Sequence, residues 1–258
     1  MVPGSNPGGP TITVKEFKLK ENRKFYEWFS EVSSKLGDRE ISFKKIFKYL
    51  DNKPSPIIIV ETGCLRDPGN FMDGQSTLLF DKYTSSRGQG SKVYTVDNDQ
   101  KSTNACRETV SVNVEITTDD SISYLNDLCK KFLKIKKKVS MFYLDSFDVN
   151  WRYPHPSAAH HLKELTAIAR LLYEDTLVVV DDAPAQANLT QNEKEFTSKV
   201  LDKSNNIENS SVWKILSSPS PVPTIGGKGS LVHEYAMASG AKVLFSNYQT
   251  AWNNFNKE

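Results

Sequence analysis

The stretch TLVVVDDAP, residues 176–184, joins four consecutive apolar residues directly to a pair of aspartates, Asp181 and Asp182. An uninterrupted run of Leu and Val is typical of a strand that is buried on both faces, as in a parallel sheet. A carboxylate at the end of such a strand needs compensation or a function, because burying a charge without a partner is costly. The stretch therefore predicts a parallel sheet with a polar site where this strand ends.

Short apolar runs of the same kind recur along the chain and alternate with amphipathic stretches. Four of them predict further strands, at residues 57–61, 92–97, 112–117 and 139–145, and one last strand is expected within residues 241–252. The segments between the runs have helical periodicity, and this alternation is typical of βαβ units. The pattern predicts an α/β fold with a Rossmann-like, doubly wound, mostly parallel sheet of seven (or six) strands and helices on both faces.

The chain divides into three predicted regions that together form a single domain. They are a Pro- and Gly-rich flexible leader at 1–12, an N-terminal helical cap at 13–55, and the α/β domain at 56–258. The helical region has a predicted break at Gly37-Asp38. Residues 186–223 match no motif, although a helix at 193–201 and a short strand at 212–216 are predicted there.

The overall composition is that of an ordinary globular protein. Of the 258 residues, 38% are hydrophobic and 25% are charged, and the formal net charge is +2. This charge provides no basic field for nucleic acid, and no apolar run approaches the ~20 residues that span a bilayer. Three widely spaced cysteines without a CxxC pair fit a reducing, cytoplasmic setting. We expect a small-molecule substrate and neither a membrane nor a nucleic-acid partner, and a homo-oligomer stays an open alternative.

Acidic residues follow every one of the first five predicted strands. They are Glu61, Asp97, Asp120 in the turn after the third strand, Asp145, and the pair Asp181-Asp182. A single aspartate after a strand is ordinary, because Asp favours turns and helix N-caps. A full set along one edge is different, because doubly wound sheets bind ligands at the carboxyl ends of their strands. The pattern predicts a ligand site at this edge.

The residues after the first two strands indicate a nucleotide-like ligand. Asp97 suits a ribose diol, because a carboxylate accepts hydrogen bonds from both hydroxyls. Gly63 permits a sharp turn and a close approach of the backbone to a ligand. Ser76 opens the next helix, where hydroxyl and free N–H groups can hold a ligand carboxylate.

Asp145, Asp181 and Asp182, called the acidic triad below, follow two strands that should be neighbours about 4.8 Å apart. Carboxylates this close repel one another unless a cation compensates them. An oxygen-only cluster favours a hard divalent ion such as Mg²⁺, which is the expected metal. The alternative is ion pairing with a basic side chain, for which the candidates are Lys163, Arg152 and Lys228.

Two further motifs carry candidate groups. The stretch GGKG, residues 226–229, precedes a predicted helix and is interpreted as a flexible lid over the substrate, with a plain loop as the alternative. The stretch HPSAAHH contains His155, His160 and His161. The last two point to different faces of a helix, so they are poor joint metal ligands.

The motifs around residues 56–182 resemble the class I S-adenosylmethionine-dependent methyltransferases. The resemblance rests on Val60-Glu61-Thr62-Gly63, Val96-Asp97, Asp120-Ser121 and the acidic triad. Within that group, FYLDSFD and VVVDDA are most similar to the metal-dependent O-methyltransferases of the macrocin and catechol type. One difference is that the loop after the first strand has one early glycine where the family has three.

The resemblance implies a cofactor, a metal and an activity. It implies that Glu61 and Gly63 line the methionine end of S-adenosylmethionine, that Asp97 binds its ribose, and that Asp120 and Ser121 lie beside its adenine. It also implies that the acidic triad holds a divalent metal, with Mg²⁺ expected, which orients a substrate hydroxyl.

The activity this implies is methyl transfer to a hydroxyl of a small molecule such as a sugar, a polyketide or a catechol. The base that takes the hydroxyl proton is predicted to be Asp145, with His155 or His160 as second candidates. Two other functions stay as alternatives. One is a hydroxylase of the cephalosporin hydroxylase type on the same scaffold, and the other is a non-catalytic module that binds a nucleotide or cofactor.

Overall fold

The computed structural model of the protein describes residues 14–73, 75–185 and 225–255. The predicted leader at 1–12, the predicted helix at 193–201 and the predicted strand at 212–216 lie outside these residues. The statements below refer to the described parts of the chain.

A seven-stranded sheet forms the centre of the fold, with the strand order β3-β2-β1-β4-β5-β7-β6. The strands are β1 Ile58–Thr62, β2 Lys92–Asp97, β3 Val114–Thr118, β4 Met141–Leu144, β5 Leu177–Val180, β6 Lys242–Ser246 and β7 Thr250–Asn253. Strands β1 to β5 pair in parallel, and β7 is antiparallel to β5 and β6. The predicted Rossmann-like, mostly parallel sheet is confirmed, with seven strands.

Seven α-helices surround the sheet in the described residues. They are α1 Val14–Val32, α2 Glu40–Asp51, α3 Ser76–Ser86, α4 Gln100–Thr109, α5 Ser121–Lys134, α6 His155–Ile168 and α7 Ser230–Ala238. A 3₁₀ segment, Ser33–Arg39, joins α1 to α2 and contains the predicted break at Gly37. The predicted N-terminal helical extension is thus present. None of the described helices is both long and apolar enough to cross a bilayer.

The two faces of the sheet have separate cores, because successive strand side chains point to opposite faces. In β4, Met141 and Tyr143 pack with Phe43 and Phe47 of α2 and with aromatic residues of α1. Phe142 and Leu144 pack on the other face with apolar residues of α5, α6 and α7. The N-terminal helices therefore cover one face of the sheet, and the 3₁₀ segment between them reaches the edge where the parallel strands end.

The C-terminal region differs from the prediction. A single strand was expected within residues 241–252, whereas the structure has two, β6 and β7, which form an antiparallel pair. The turn between them is closed by Asn247 N, which donates to Gln249 O at 2.9 Å. Strand β7 pairs with β5 as well as with β6, so it lies inside the sheet, and its Trp252 is completely buried.

Candidate active site

A cavity of about 340 Å³ lies at the carboxyl ends of the parallel strands. It is positioned where the strand order reverses between β1 and β4, which is the topological switch point at which doubly wound sheets bind ligands. Its described lining comes from the loops after β1, β2, β4 and β5, from α3 and α4, and from Arg39 and Lys228. The lining residues used below are Gly63, Cys64, Arg66, Ser76, Asp97, Asp99, Asp145, Ser146, Asp182, Arg39 and Lys228.

Gly63 forms the tight turn after β1. Its φ is +77°, and its N–H donates to Val96 O in β2 at 2.8 Å. A Cβ at this position would lie 2.5 Å from Asp145 O, which is closer than real Cβ atoms approach a backbone oxygen. The turn therefore requires glycine for both its conformation and its contact with the end of β4.

Asp97 joins the loops after β1 and β2. Its Oδ2 accepts from Cys64 N at 3.1 Å and its Oδ1 accepts from Asp99 N at 2.8 Å. Each carboxylate oxygen has a second lone pair, so the side chain can still accept from a diol in the cavity. Gly63, Cys64, Asp97 and Asp99 are called the cofactor wall below, after the role that the resemblance implies for Gly63 and Asp97.

Glu61 is completely buried rather than exposed to the cavity. Thr77 Oγ1 donates to Glu61 Oε2 at 2.7 Å, which connects β1 to the start of α3. Burial raises the pKa of Glu61 from 4.5 to about 7, and hydrogen bonds from Ser76 and Thr77 oppose this shift. Among the predicted cofactor residues, Gly63, Ser76 and Asp97 line the cavity and Glu61 supports it from inside the fold.

Three other predicted residues occupy places outside the described lining of the cavity. Asp120 is exposed and caps α5, where its Oδ1 accepts from Ser123 N at 2.9 Å. Ser121 is buried, and its hydroxyl lies 3.0 Å from His160 Nε2. His155 is exposed at the first residue of α6. Their proposed roles beside adenine and as a base stay predictions.

The acidic triad converges as expected. One carboxylate oxygen from each of Asp145, Asp181 and Asp182 lies within 4.8 Å of the others. The parallel pairing of β4 with β5 brings the ends of the two strands side by side, with Leu144 opposite Val180. Asp182 has a positive φ of 43°, a conformation that costs energy for a residue other than glycine.

Two basic side chains enter the acidic triad and complete what is called the ion-pair cluster below. Arg39 Nε lies 2.8 and 3.1 Å from the two oxygens of Asp181, and its Nη2 lies 3.1 Å from Asp182 Oδ1. Lys228 Nζ contacts Asp145 Oδ1 and lies 3.0 Å from Asp182 Oδ2. Of the three predicted ion-pair partners the structure selects Lys228, whereas Lys163 and Arg152 are exposed.

The charges of the cluster shift its pKa values in different directions. Burial raises the pKa of Asp145 well above its usual value, and the charge of Lys228 opposes this. Burial also acts to raise the pKa of Asp181, but Arg39 and Lys228 outweigh it and hold that pKa below its usual value. Burial lowers the pKa of Lys228, yet the neighbouring carboxylates raise it overall, so Lys228 stays charged.

The contacts of the cluster test whether a divalent ion fits. Arg39 and Lys228 hold five of the six carboxylate oxygens of the acidic triad. An ion that bridged Asp145 and Asp182 at about 2.0–2.1 Å from their oxygens would occupy the region of the Lys228 ammonium. In this arrangement the donor set does not fit Mg²⁺, although the residue types do.

The GGKG stretch is packed inward, which the lid interpretation did not anticipate. Gly227 (φ +55°) lies so close to β5 that a Cβ there would be 2.0 Å from Asp182 O. Lys228 N donates to the same Asp182 O at 3.0 Å, and Gly226 N donates to Pro184 O at 2.8 Å. The glycines allow this close contact, and the contact holds the Lys228 side chain inside the site.

A buried polar network lies next to the cavity, and no sequence pattern predicted it. Glu164 of α6 is completely buried. It accepts from Ser146 Oγ at 2.6 Å and from Thr62 Oγ1 at 3.2 Å, and His160 Nε2 lies 3.4 Å away. These contacts hold the ends of β1 and β4 in place. A glutamate at a core position of a predicted helix was the available signal.

Arg39 is the other residue of this site that no sequence pattern predicted. It lies 142 residues before Asp181 and directly after the predicted break at Gly37-Asp38. Its guanidinium also stacks on Tyr248, with 4.7 Å to the ring centroid. No local pattern distinguishes it from other arginines, because its role depends on the packing of the N-terminal helices against the sheet.

The comparisons with known proteins find similarity in solved structures alone. No protein-family model matches the chain, and a search of the curated proteins finds no match. A DUF574 family protein from Streptomyces avermitilis is 10% identical with a TM-score of 0.44, and the alignment covers 93% of this chain and 90% of that one. A protein described as a putative methyltransferase from Thermobifida fusca is 11% identical with a TM-score of 0.42, covering 91% of this chain and 88% of that one.

A third structure is the sugar N-methyltransferase KedS8 from a Streptoalloteichus species, which is 11% identical with a TM-score of 0.38. That alignment covers 74% of this chain and 62% of the KedS8 chain, which is less than two thirds of its length. These similarities are weak. The assignment of the fold therefore rests on the strand order and the pairing directions of the sheet itself.

Proposed function

We propose that the protein is an S-adenosylmethionine-dependent methyltransferase that acts on a hydroxyl group of a small molecule. One observation carries the proposal: a single cavity at the switch point of the sheet is lined together by Gly63, Asp97 and Asp145. Its volume of about 340 Å³ falls in the range of small-molecule sites, about 300–1,000 Å³. These three residues are among those that the resemblance assigns to the cofactor and the acceptor.

The cofactor wall offers suitable groups for S-adenosylmethionine, which supplies a methyl group on a positively charged sulfur. Asp97 would accept hydrogen bonds from the ribose, and the Gly63 turn would allow the backbone to approach the methionine part. Ser76 at the start of α3 and Arg66 in the preceding loop line the same cavity and would contact the cofactor carboxylate. Glu61 holds β1 and α3 together behind this wall.

Asp145 is the proposed base for the acceptor hydroxyl. It lines the cavity, and burial raises its pKa. The raised pKa makes its carboxylate a stronger base and reduces the difference from the pKa of the acceptor hydroxyl. Its backbone is fixed by Asp145 N, which donates to Thr62 O at 3.0 Å. Lys228 and Arg39 hold the carboxylates in position, so that the chain contributes mainly orientation and proton transfer.

Magnesium dependence, which the resemblance implies, is not part of this proposal. The three carboxylates of the acidic triad are the ligand type that Mg²⁺ prefers. The contacts of Arg39 and Lys228 oppose it, because they already hold those oxygens. No step of the proposed reaction is therefore assigned to a metal.

Calorimetry with S-adenosylmethionine and S-adenosylhomocysteine, with and without Mg²⁺, tests the proposal. We expect the full chain to bind both ligands, and Asp97→Asn to weaken binding about 10- to 100-fold, because a hydrogen bond to a charged group is lost. Asp127→Asn on α5 is the matched control, since Asp127 is exposed and pairs with Lys130 at 2.9 Å. Absence of binding to the full chain under both conditions would overturn the proposal and leave the hydroxylase and the non-catalytic module.

A further inference from the structure

We propose that Lys228 occupies the place of a divalent cation, so that the acidic triad is closed by the chain's own charges and binds no metal in the working protein. This inference concerns the state of the acidic triad and does not depend on which reaction the cavity supports. The sequence predicts that the acidic triad holds a metal ion, whereas this inference assigns that position to the Lys228 ammonium group.

The Lys228 ammonium group already occupies the position that a bridging divalent ion would need. Lys228 Nζ bridges carboxylates from two strand ends, Asp145 after β4 and Asp182 after β5. A bridging divalent ion would have to bind the same oxygens from the same side. A cation and an ammonium group cannot share this space, because like charges at contact distance repel strongly in a buried site.

Five of the six carboxylate oxygens of the acidic triad already have a basic partner. Arg39 engages both oxygens of Asp181, and its second nitrogen reaches Asp182. Three carboxylates and two permanent cations leave one formal negative charge if all are ionised. A triad without these cations would carry three negative charges, which is the condition that recruits a divalent ion.

The backbone of the GGKG stretch fixes the Lys228 side chain in this position. The side chain of Lys228 is only 1% exposed, so it is not a surface lysine that bends inward by chance. Gly227 and the Lys228 N–H both contact Asp182 O, the carbonyl of a residue with strained backbone. Strain of this kind persists only where the surroundings enforce it. The loop therefore fixes the ammonium beside the acidic triad.

The test is a Mn²⁺ titration of the full chain, followed by electron paramagnetic resonance of the free ion and by thermal unfolding. For the unmodified chain we expect no Mn²⁺ binding that depends on Asp145, and no Mn²⁺-dependent rise in Tm. Lys228→Met removes the ammonium and keeps an apolar side chain of similar length. We expect this variant to bind Mn²⁺ at least about 100-fold more tightly than the unmodified chain, because one buried positive charge is gone.

Two controls connect the result to the site. The double variant Lys228→Met with Asp145→Asn removes the ammonium together with one ligand, so it should lose the gain in Mn²⁺ affinity. If Lys228→Met unfolds without metal, the same affinity gain appears as a rise in Tm with added Mn²⁺.

Tight Mn²⁺ binding by the unmodified chain that Asp145→Asn abolishes would overturn the inference. A folded Lys228→Met variant with no gain in Mn²⁺ affinity would also overturn it. Binding of S-adenosylmethionine is measured separately by calorimetry, so a failure of this inference does not resemble a failure of the proposed function.

Discussion

The cofactor wall and the ion-pair cluster lie in one cavity but are built in different ways. The cofactor wall consists of residues from the loops after β1 and β2, which are joined by backbone N–H groups that donate to the Asp97 carboxylate. The ion-pair cluster combines Arg39, the ends of β4 and β5, and Lys228, which are far apart in the sequence. The first region depends on local geometry, whereas the second depends on a balance of buried charges. Substitutions in the two regions should therefore change the stability of the protein by different amounts and for different physical reasons.

The largest expected effect comes from the charge balance. Lys228→Met should reduce the free energy of unfolding by about 3–5 kcal/mol, because it leaves the Asp145 carboxylate without its basic partner and Asp182 with Arg39 alone. Urea unfolding monitored by circular dichroism measures this loss. Adding Asp145→Asn should restore much of the stability, because the unpaired charge is then removed as well. Equal stabilities of the unmodified chain and Lys228→Met would show that the cluster is not held by charge pairing.

The second effect concerns Glu61, the buried acid behind the cofactor wall, and how the free energy of unfolding depends on pH. The pKa of Glu61 rises on folding from 4.5 to about 7, so the folded state binds a proton that the unfolded state releases. The free energy of unfolding should therefore fall as the pH rises between these two values, by about 3 kcal/mol in total.

Urea unfolding at pH 5 and pH 8 checks this prediction, with Glu61→Gln as the comparison. The glutamine cannot ionise, so its free energy of unfolding should lack this component of the pH dependence. If the free energy of unfolding depends on pH in the same way in both proteins, the raised pKa of Glu61 is contradicted.

The third effect compares two glycines with positive φ, of which only Gly63 is also closely packed, so that the stability cost of the close packing can be measured separately from that of the backbone conformation. Gly63 and Gly69 both have positive φ values, but an added Cβ meets Asp145 O at 2.5 Å for Gly63 and nothing within 4 Å for Gly69. Gly63→Ala should therefore cost about 1–3 kcal/mol more than Gly69→Ala, the matched control. Thermal unfolding of the two variants measures the difference. If the two variants lose the same amount of stability, the close contact between Gly63 and the end of β4 does not contribute to the stability of the fold.

The sequence predicts features that depend on local patterns, and it does not predict features that depend on contacts between distant parts of the chain. The strands and the convergence of the acidic triad follow from local apolar runs and from the rule that parallel strands end at one edge. Arg39 could not be found in this way, because its position depends on how α1 and α2 pack on the sheet. The inward packing of Lys228 depends on contacts between Gly227 and Asp182, and the division of residues 241–252 into β6 and β7 depends on the long-range pairing of β7 with β5.

The smallest expected effect concerns Asp120, which the resemblance places beside adenine and the structure shows as the N-cap of α5. Its Oδ1 accepts from Ser123 N at 2.9 Å, so Asp120→Ala should cost about 1 kcal/mol of stability, as is usual for a lost cap. Asp127→Ala on the same helix is the control, because it removes an exposed ion pair and no cap. Because the carboxylate is engaged in the cap, we expect the affinity for S-adenosylmethionine to change less than about tenfold, or 1.4 kcal/mol. A larger loss of affinity, with stability equal to that of the control, would instead place Asp120 in the cofactor site and extend the cofactor wall to the start of α5.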